Sequence, residues 1–90
     1  MRRFGLGAIF ATRTALEVLG SAEVSPSELL ERHAAGDWGD VPPEDARENE
    51  YNLKRGLRVL SSYPLPSGER VWIITEADRS STSIITPDEY

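Results

Sequence analysis

Residues 58–86, RVLSSYPLPSGERVWIITEADRSSTSIIT, decide the fold class of this chain. The stretch holds three short runs with the patterns of strands: the first alternates in side-chain character, and the second is rich in β-branched and aromatic residues. The runs are residues 58–65, 70–75 and 82–86. Residues 66–69 (PSGE) are typical of a hairpin turn, and residues 77–81 turn the chain again before the third run. Because connections this short join antiparallel neighbours, we predict a C-terminal three-stranded antiparallel meander.

Two stretches before the meander carry the start and stop signals of helices. Residues 25–28 (SPSE) form a capping-box pattern with proline at the first helical position. Gly36 stops the predicted helix after about residue 35, since glycine is typical just past a helix end. Pro43 opens the next helix, which has acidic residues in its first turn and ends at Gly56 after two basic residues.

The N-terminal part of the chain predicts two smaller elements. Residues 4–11 alternate small and large apolar side chains, as a short strand does. Either Thr12 or Thr14 then acts as the N-cap of a short helix that Gly20 ends. We therefore predict a single α+β domain over residues 1–90, with two to three N-terminal helices, and an optional short first strand, packed on the three-stranded meander.

Composition places the chain among globular proteins and excludes several kinds of chemistry. Hydrophobic residues make up 39% and charged residues 28% of the sequence. The absence of cysteine excludes disulfides, thiolate nucleophiles and cysteine-based zinc sites, and the single histidine, His33, excludes a multi-histidine metal site. We predict neither a cofactor nor a metal. The net charge of −5 disfavours direct binding to nucleic acid, because phosphate binding needs local positive potential.

The apolar stretches of the sequence are far too short to span a membrane. Residues 4–11, which follow Arg2 and Arg3, superficially resemble the start of a signal peptide. Residues 12–14 (TRT) interrupt that run, however, and no cleavage site follows. We therefore expect a cytoplasmic protein without a membrane partner.

Three polar side chains are candidates for catalysis if the chain is an enzyme: His33, Glu76 and Arg79. His33 lies on the helix stripe that should face the core, where it acts either as a general acid or base or as a half-buried, hydrogen-bonded side chain. The turn at residues 75–82 (TEADRSST) is more polar than a hairpin requires. There Arg79 can hold an anion and Glu76 can act as a base, or an aspartate–arginine pair ties the turn.

The second and third helices and the loop between them hold other unusual residues. Asn49 should be partly buried on the third helix and must find hydrogen-bond partners. The loop Asp37-Trp38-Gly39-Asp40 offers two carboxylates for a hard cation, or it is a turn anchored by its tryptophan. Convergence of His33, Asp37, Asn49 and Arg79 in an open cleft favours an enzyme. If these four side chains are instead buried and hydrogen-bonded, function moves to the acidic outer surface.

Residues 37–50 are strongly acidic, with Arg47 as the only basic residue among them. One interpretation is a solvated helix face. The other is a surface that meets a basic partner, including a nucleic-acid-binding groove that it blocks by charge mimicry. The predicted partner-binding residues are Asp37, Asp40, Glu44, Asp45 and Glu48.

A series of short motifs runs along almost the whole chain. The motifs are Ala11-Thr12, Ala15-Leu16, residues 33–40 (HAAGDWGD), Asn49, residues 58–63 (RVLSSY), residues 72–80 (WIITEADRS) and residues 87–90 (PDEY). Together they resemble a family of small bacterial proteins carried on plasmids, prophages and other mobile elements. Its members are labelled plasmid-related or uncharacterised, and sometimes type I restriction subunit. The chain departs from this pattern at Arg13-Thr14, where Pro-Gly is expected, and the resemblance implies a mobile-element setting without an activity.

Three functions fit these observations. The first is a non-enzymatic inhibitor of a host defence complex, of the anti-CRISPR or anti-restriction type, which binds a host protein or nucleoprotein through its acidic face. The second is a metal-independent ribonuclease-like module or toxin, by analogy with small nucleases that place helices before an antiparallel meander. The third is an adaptor subunit without catalysis. An exposed edge strand on the meander would also allow a homodimer to form by extension of the sheet.

Overall fold

The computed structural model describes all of residues 1–90 and confirms the α+β class, with three α-helices and a four-stranded sheet. The elements in chain order are β1 (Ala8–Ala11), α1 (Arg13–Ser21), α2 (Pro26–Ala34), α3 (Pro43–Arg55), β2 (Val59–Pro64), β3 (Arg70–Thr75), β4 (Ser81–Ile85) and a 3₁₀ turn (Pro87–Glu89). No helix combines the length and the apolar character needed to cross a membrane.

The sheet differs from the predicted three-stranded meander because an N-terminal strand joins it. Strands β2, β3 and β4 pair antiparallel in sequence order, but β1 pairs parallel to β4, so that the order is β1-β4-β3-β2. The sheet is therefore mixed and four-stranded. Parallel neighbours need a long crossover between them, and the helices and the hairpin between β1 and β4 provide it.

One face of the sheet carries the hydrophobic core. Tyr63, Ile73 and Ile84 are fully buried on neighbouring strands of this face. They form one cluster with Leu19 of α1 and Leu29 of α2. Since side chains alternate between the two faces of a strand, Leu60, Trp72 and Ile85 point to the opposite face, where no helix of this cluster lies.

The edge of β2 is closed by α3 and by the loop before it. The Asn49 side chain donates to the carbonyl of Leu60 at 2.7 Å and accepts from the N–H of Leu60 at 3.1 Å. Two residues along, the N–H of Ser62 donates to the Trp38 carbonyl at 3.0 Å, and the carbonyl of Ser62 accepts from the N–H of Asp40 at 2.7 Å. Both edges of the three-stranded meander are therefore covered, one by α3 and this loop and the other by β1.

Gly39 allows the loop to approach β2 this closely. Its φ of +76° lies in the left-handed region, and a Cβ atom there would sit 2.1 Å from the carbonyl oxygen of Ser62. No other residue fits without moving one of the two backbones. The tryptophan beside it is buried, in accordance with the interpretation of this loop as an anchored turn.

The helix ends follow local signals in most cases. Thr12, and not Thr14, caps α1 by accepting from the N–H of Ala15 at 3.1 Å. Gly56 ends α3 in the left-handed conformation, as predicted. The capping box predicted at Ser25 is wrong, because its side chain makes no capping hydrogen bond, although proline does occupy the first turn of α2.

Candidate functional site

His33 lies at the centre of a buried chain of hydrogen bonds. Its Nδ1 is 2.5 Å from the Ser61 hydroxyl and its Nε2 is 2.9 Å from the Thr75 hydroxyl. The Thr75 hydroxyl lies 2.7 Å from that of Thr82, which donates to the carbonyl of Leu6 at 2.7 Å. The four side chains that these hydrogen bonds connect are all fully buried: His33, Ser61, Thr75 and Thr82.

The direction of these hydrogen bonds fixes the tautomer of His33. Thr82 uses its only proton on the Leu6 carbonyl, so the Thr75 hydroxyl must donate to Thr82 and accept from His33. The imidazole therefore carries its proton on Nε2, and its Nδ1 accepts from Ser61. Burial, together with the positive charge of Arg79, lowers the pKa of His33 to about 4. At neutral pH His33 is an uncharged, fully satisfied core residue.

Aromatic side chains seal His33 from the surface. The Phe4 and Trp38 rings contact it edge-on, with centroids 5.3 Å and 5.8 Å from that of the imidazole, and they stack on each other at 6.1 Å. The Arg79 guanidinium lies over the Phe4 ring at 5.5 Å. A substrate atom has no path to the imidazole in this arrangement.

The other members of the polar cluster serve separate contacts. Arg79 donates to the carbonyls of Leu57 and Glu76, at 2.8 Å and 3.0 Å. It does not pair with Asp78, whose carboxylate instead accepts from the N–H of Ser80. The Glu76 side chain is exposed beside this turn.

Each of the four residues His33, Asp37, Asn49 and Arg79 is held by different partners, and none is hydrogen-bonded to another of the four. Asn49 is buried, as predicted, and closes the edge of β2. The residues do not line a common open cleft. Their contacts are structural, which moves attention to the acidic surface.

Three acids of residues 37–50 are engaged inside the molecule. Asp37 pairs with Arg32 at 2.7 Å, and this hydrogen bond is the main cause of its lowered pKa. Asp40 pairs with Arg70 at 3.0 Å. A cation site on the two aspartates would have to displace both arginines.

Glu50 is the third engaged acid. It accepts two hydrogen bonds from Arg3, each at 2.8 Å, and one from the indole N–H of Trp38 at 3.1 Å. These contacts, the bonds from Arg3 first, lower the pKa of Glu50 to about 2. Glu50 thereby ties the N-terminal segment to α3 and to the loop.

The remaining acids of α3 are free. Glu44, Asp45 and Glu48 are exposed and take part in no ion pair. Asp45 and Glu48 lie one turn apart, on the side of the helix that faces the open side of the sheet. Glu44 is exposed beside them without lining the same depression, and Asp37 lies with Arg32 instead.

A groove runs between α3 and the face of the sheet opposite the core. It consists of two adjoining depressions of about 460 and 410 Å³, and we call it the α3 groove. Both depressions share Val41, Asp45, Leu60 and Tyr90 in their walls. Trp72 lies in the floor, with its ring 5.4 Å from that of Tyr90 in an edge-on contact.

The α3 groove combines apolar surface with an excess of negative charge. Asp45 and Glu48 stand on one wall, whereas Arg58 at the far side is engaged with the Tyr90 hydroxyl at 2.6 Å. A lysine or arginine side chain has matching chemistry, because it can lay its aliphatic stem on apolar surface and direct its charge to carboxylates. The side chains of the groove are suited to binding such a cationic side chain.

The acidic residues of the groove were predicted, but its apolar residues were not. Leu60, Trp72 and Tyr90 come from β2, β3 and the segment after the 3₁₀ turn. A usable signal was present in the alternation of the strands, since Trp72 and Leu60 are apolar at positions that point away from the core. An apolar residue on both faces of a strand indicates that each face meets other protein.

Comparisons of the chain with protein-family models, with curated proteins and with solved structures found no match.

Proposed function

We propose that the chain is a mobile-element accessory protein that inhibits a host defence complex, of the anti-CRISPR or anti-restriction type, by binding it through the acidic face. The resemblance of its motifs to small plasmid- and prophage-borne proteins supplies the biological setting. The α3 groove supplies the binding surface. Such an inhibitor needs no cofactor and no catalytic group.

The observation that carries this proposal is the pair of free carboxylates, Asp45 and Glu48, beside an apolar groove. Proteins that bind nucleic acid present lysine and arginine side chains to phosphates. A rigid helix that presents carboxylates can occupy the same side chains in place of the phosphates. Leu60 and Trp72 then add an apolar contact with the partner protein, which a nucleic acid bound at the same surface would not make.

The proposed binding is electrostatic in its approach and apolar at its centre. The net charge of −5 steers the chain towards a basic surface and speeds encounter at low ionic strength. Added salt should slow association, because the Debye length shrinks to about 8 Å at physiological ionic strength. The apolar contacts should be much less sensitive to salt.

The ribonuclease alternative lacks support from the geometry. It needs His33 to exchange protons with a substrate, yet His33 is fully buried, neutral and covered by Phe4 and Trp38. Glu76 is exposed and Arg79 is engaged with backbone carbonyls. No observation favours this function over binding.

The test is capture of a target from a host that carries CRISPR and restriction systems, followed by direct binding to the purified target. The wild-type chain should retain a defence protein, and the double variant Asp45→Lys/Glu48→Lys should lose at least about tenfold in affinity, because attraction becomes like-charge repulsion. The matched control is Glu17→Lys/Glu23→Lys, which alters the net charge equally at two exposed acids outside the α3 groove.

Equal loss of affinity in both double variants would mean that binding depends only on net charge, and it would contradict a specific site at the α3 groove. Capture of a protein unrelated to defence would favour the adaptor function. Capture of nothing, together with RNA cleavage that His33→Ala abolishes, would replace the proposal by the ribonuclease alternative.

A further inference from the structure

One edge of the sheet is covered, and the other is open. The β2 edge is covered by Asn49 and by backbone groups of residues 38–40. The opposite edge is β1. The N–H groups of Ala8 and Thr12 donate to Ser80 and Ile84, so the even-numbered positions of β1 face β4. It follows that the N–H and C=O groups of Ile9 and Ala11 point away from the sheet.

Strand β1 is short, at four residues, but it carries no other feature that normally protects an edge. Natural edge strands are blunted by charged residues, proline or bulges. The sequence of β1, AIFA, has no charge and no proline, and its pairing with β4 is regular over all four residues. Ile9 is 45% exposed and Phe10 is 58% exposed, so two large apolar side chains flank the open backbone groups.

We propose that β1 pairs with β1 of a second copy of the chain, antiparallel and across a twofold axis at Phe10. In this register Ile9 of each copy lies opposite Ala11 of the other. Each of these two pairs exchanges two backbone hydrogen bonds, which makes four in total. Phe10 lies opposite its own copy at a non-hydrogen-bonded position, where side chains approach most closely and aromatic pairs stabilise a sheet. The two four-stranded sheets become one continuous sheet.

The lack of charged residues in β1 allows the same strand of a second copy to pair with it. A chain with a net charge of −5 should repel its own copy unless the charges stay apart. The free carboxylates of Asp45 and Glu48 lie beyond β2, three strand spacings or about 14 Å from β1. Within a single copy, this distance is already longer than the Debye length, which is about 8 Å at physiological ionic strength. The uncharged edges can meet while the α3 grooves face outward at opposite ends.

The interface is small, and the dimer should be concentration-dependent. It comprises four strand residues per copy and the apolar side chains beside them, below the roughly 1,200 Å² of a standard stable interface. Sedimentation of the wild-type chain should therefore show the mass rising from 10.0 kDa towards twice that value as concentration increases. The inference does not depend on the proposed function.

Two variants test the edge without disturbing the ladder to β4. Ile9→Pro removes an N–H that points outward, and proline is tolerated on an open edge. Phe10→Lys places charge on the twofold axis. Both should remain at 10.0 kDa while keeping the wild-type circular dichroism. The control Tyr51→Lys removes a comparably exposed aromatic residue, 54% exposed on α3, and should still dimerise.

Cross-linking tests the register. The chain has no cysteine, so Phe10→Cys introduces a single thiol. At a non-hydrogen-bonded position the Cα atoms lie about 4.5 Å apart, within the range a disulfide spans, and oxidation should yield a covalent dimer. The control Tyr51→Cys should yield much less.

A wild-type chain that stays at 10.0 kDa at all concentrations would overturn the inference. So would folded Ile9→Pro and Phe10→Lys variants that dimerise as the wild type does, or equal cross-linking through positions 10 and 51.

Discussion

Burial lowers the pKa of His33 to about 4, and the free energy of unfolding should respond to pH for this reason. The unfolded chain takes up a proton on His33 as the pH falls through about 6.5, whereas the folded chain resists until about pH 4. Stability should therefore be greatest above pH 6.5 and should fall as the pH is lowered to 4, by about 3 kcal/mol from this residue. Urea unfolding across this range measures it.

The control for the pH experiment is His33→Gln, whose amide does not titrate. This variant should be less stable than the wild type at neutral pH, because the Phe4 and Trp38 rings lose a flat partner, but its stability should change little between pH 6.5 and about 5. A variant that keeps the wild-type slope would show that the slope comes from other groups. The loss of stability from Glu50, whose pKa falls from 4.5 to about 2 on folding, begins as the pH drops below about 5, so the range from pH 6.5 to 5 isolates His33.

Gly39 provides a second test at the scale of one residue. Gly39→Ala places a Cβ 2.1 Å from the Ser62 carbonyl oxygen, in addition to the strain of a left-handed backbone. We expect a loss of at least about 3 kcal/mol in the free energy of unfolding. Gly68→Ala is the matched control, since Gly68 has a φ of +92° but no atom within 4 Å of the added Cβ. It should lose only about 1 to 2 kcal/mol, and equal losses would contradict the close approach.

At the edge of β2, the Asn49 side chain makes the backbone hydrogen bonds that a neighbouring strand would otherwise make. Asn49→Ala removes both hydrogen bonds to Leu60 and leaves a partly buried backbone N–H and C=O unpaired. We expect a loss of about 2 to 3 kcal/mol and a greater tendency to aggregate, because an open edge invites pairing. The measurement is urea unfolding together with light scattering.

Asn52→Ala is the control for Asn49→Ala. Asn52 donates one exposed hydrogen bond, to the Arg58 carbonyl at 3.0 Å, on the same helix and towards the same strand. Its replacement should cost less than about 1 kcal/mol. Similar losses in the two variants would mean that the edge is held by the loop at residues 38–40 and not by Asn49.

Elements with local signals were predictable, and contacts between distant elements were not. The bounds of α3 follow from Pro43 and Gly56, and the antiparallel order of β2 to β4 follows from short turns. The pairing of β1 with β4 joins residues far apart in sequence, and the sequence of β1 (AIFA) does not indicate which strand it pairs with. The partner of Asn49 was equally hidden, because a predicted need for hydrogen bonds does not say which backbone supplies them.

The candidate site shows the same division. Asp40, Asp45 and Glu48 line the α3 groove in the structure, and the sequence predicts all three as partner-binding residues. Asp37 pairs with Arg32, a contact that closes only when the loop after α2 turns back on the helix. The apolar floor depends on Trp72 and Tyr90 meeting across the sheet, which requires the tertiary fold.

At the scale of the whole molecule, charge and apolar edge are segregated. The carboxylates of the α3 groove, Asp45 and Glu48, lie on the β2 side of the sheet, and the open strand, which has no charged residue, lies on the β1 side. A dimer through β1 would therefore present two α3 grooves facing outward. Two linked sites can raise the avidity for a target with repeated basic surfaces without any new contact.

Inhibition of host defence can be measured by phage plating on a host with an active CRISPR or restriction system. Expression of the wild-type chain should raise the plating efficiency, the control Glu17→Lys/Glu23→Lys should do so equally, and Asp45→Lys/Glu48→Lys should leave the host protected. Restored plating with all three chains, or with none of them despite folded protein, would contradict inhibition through the α3 groove.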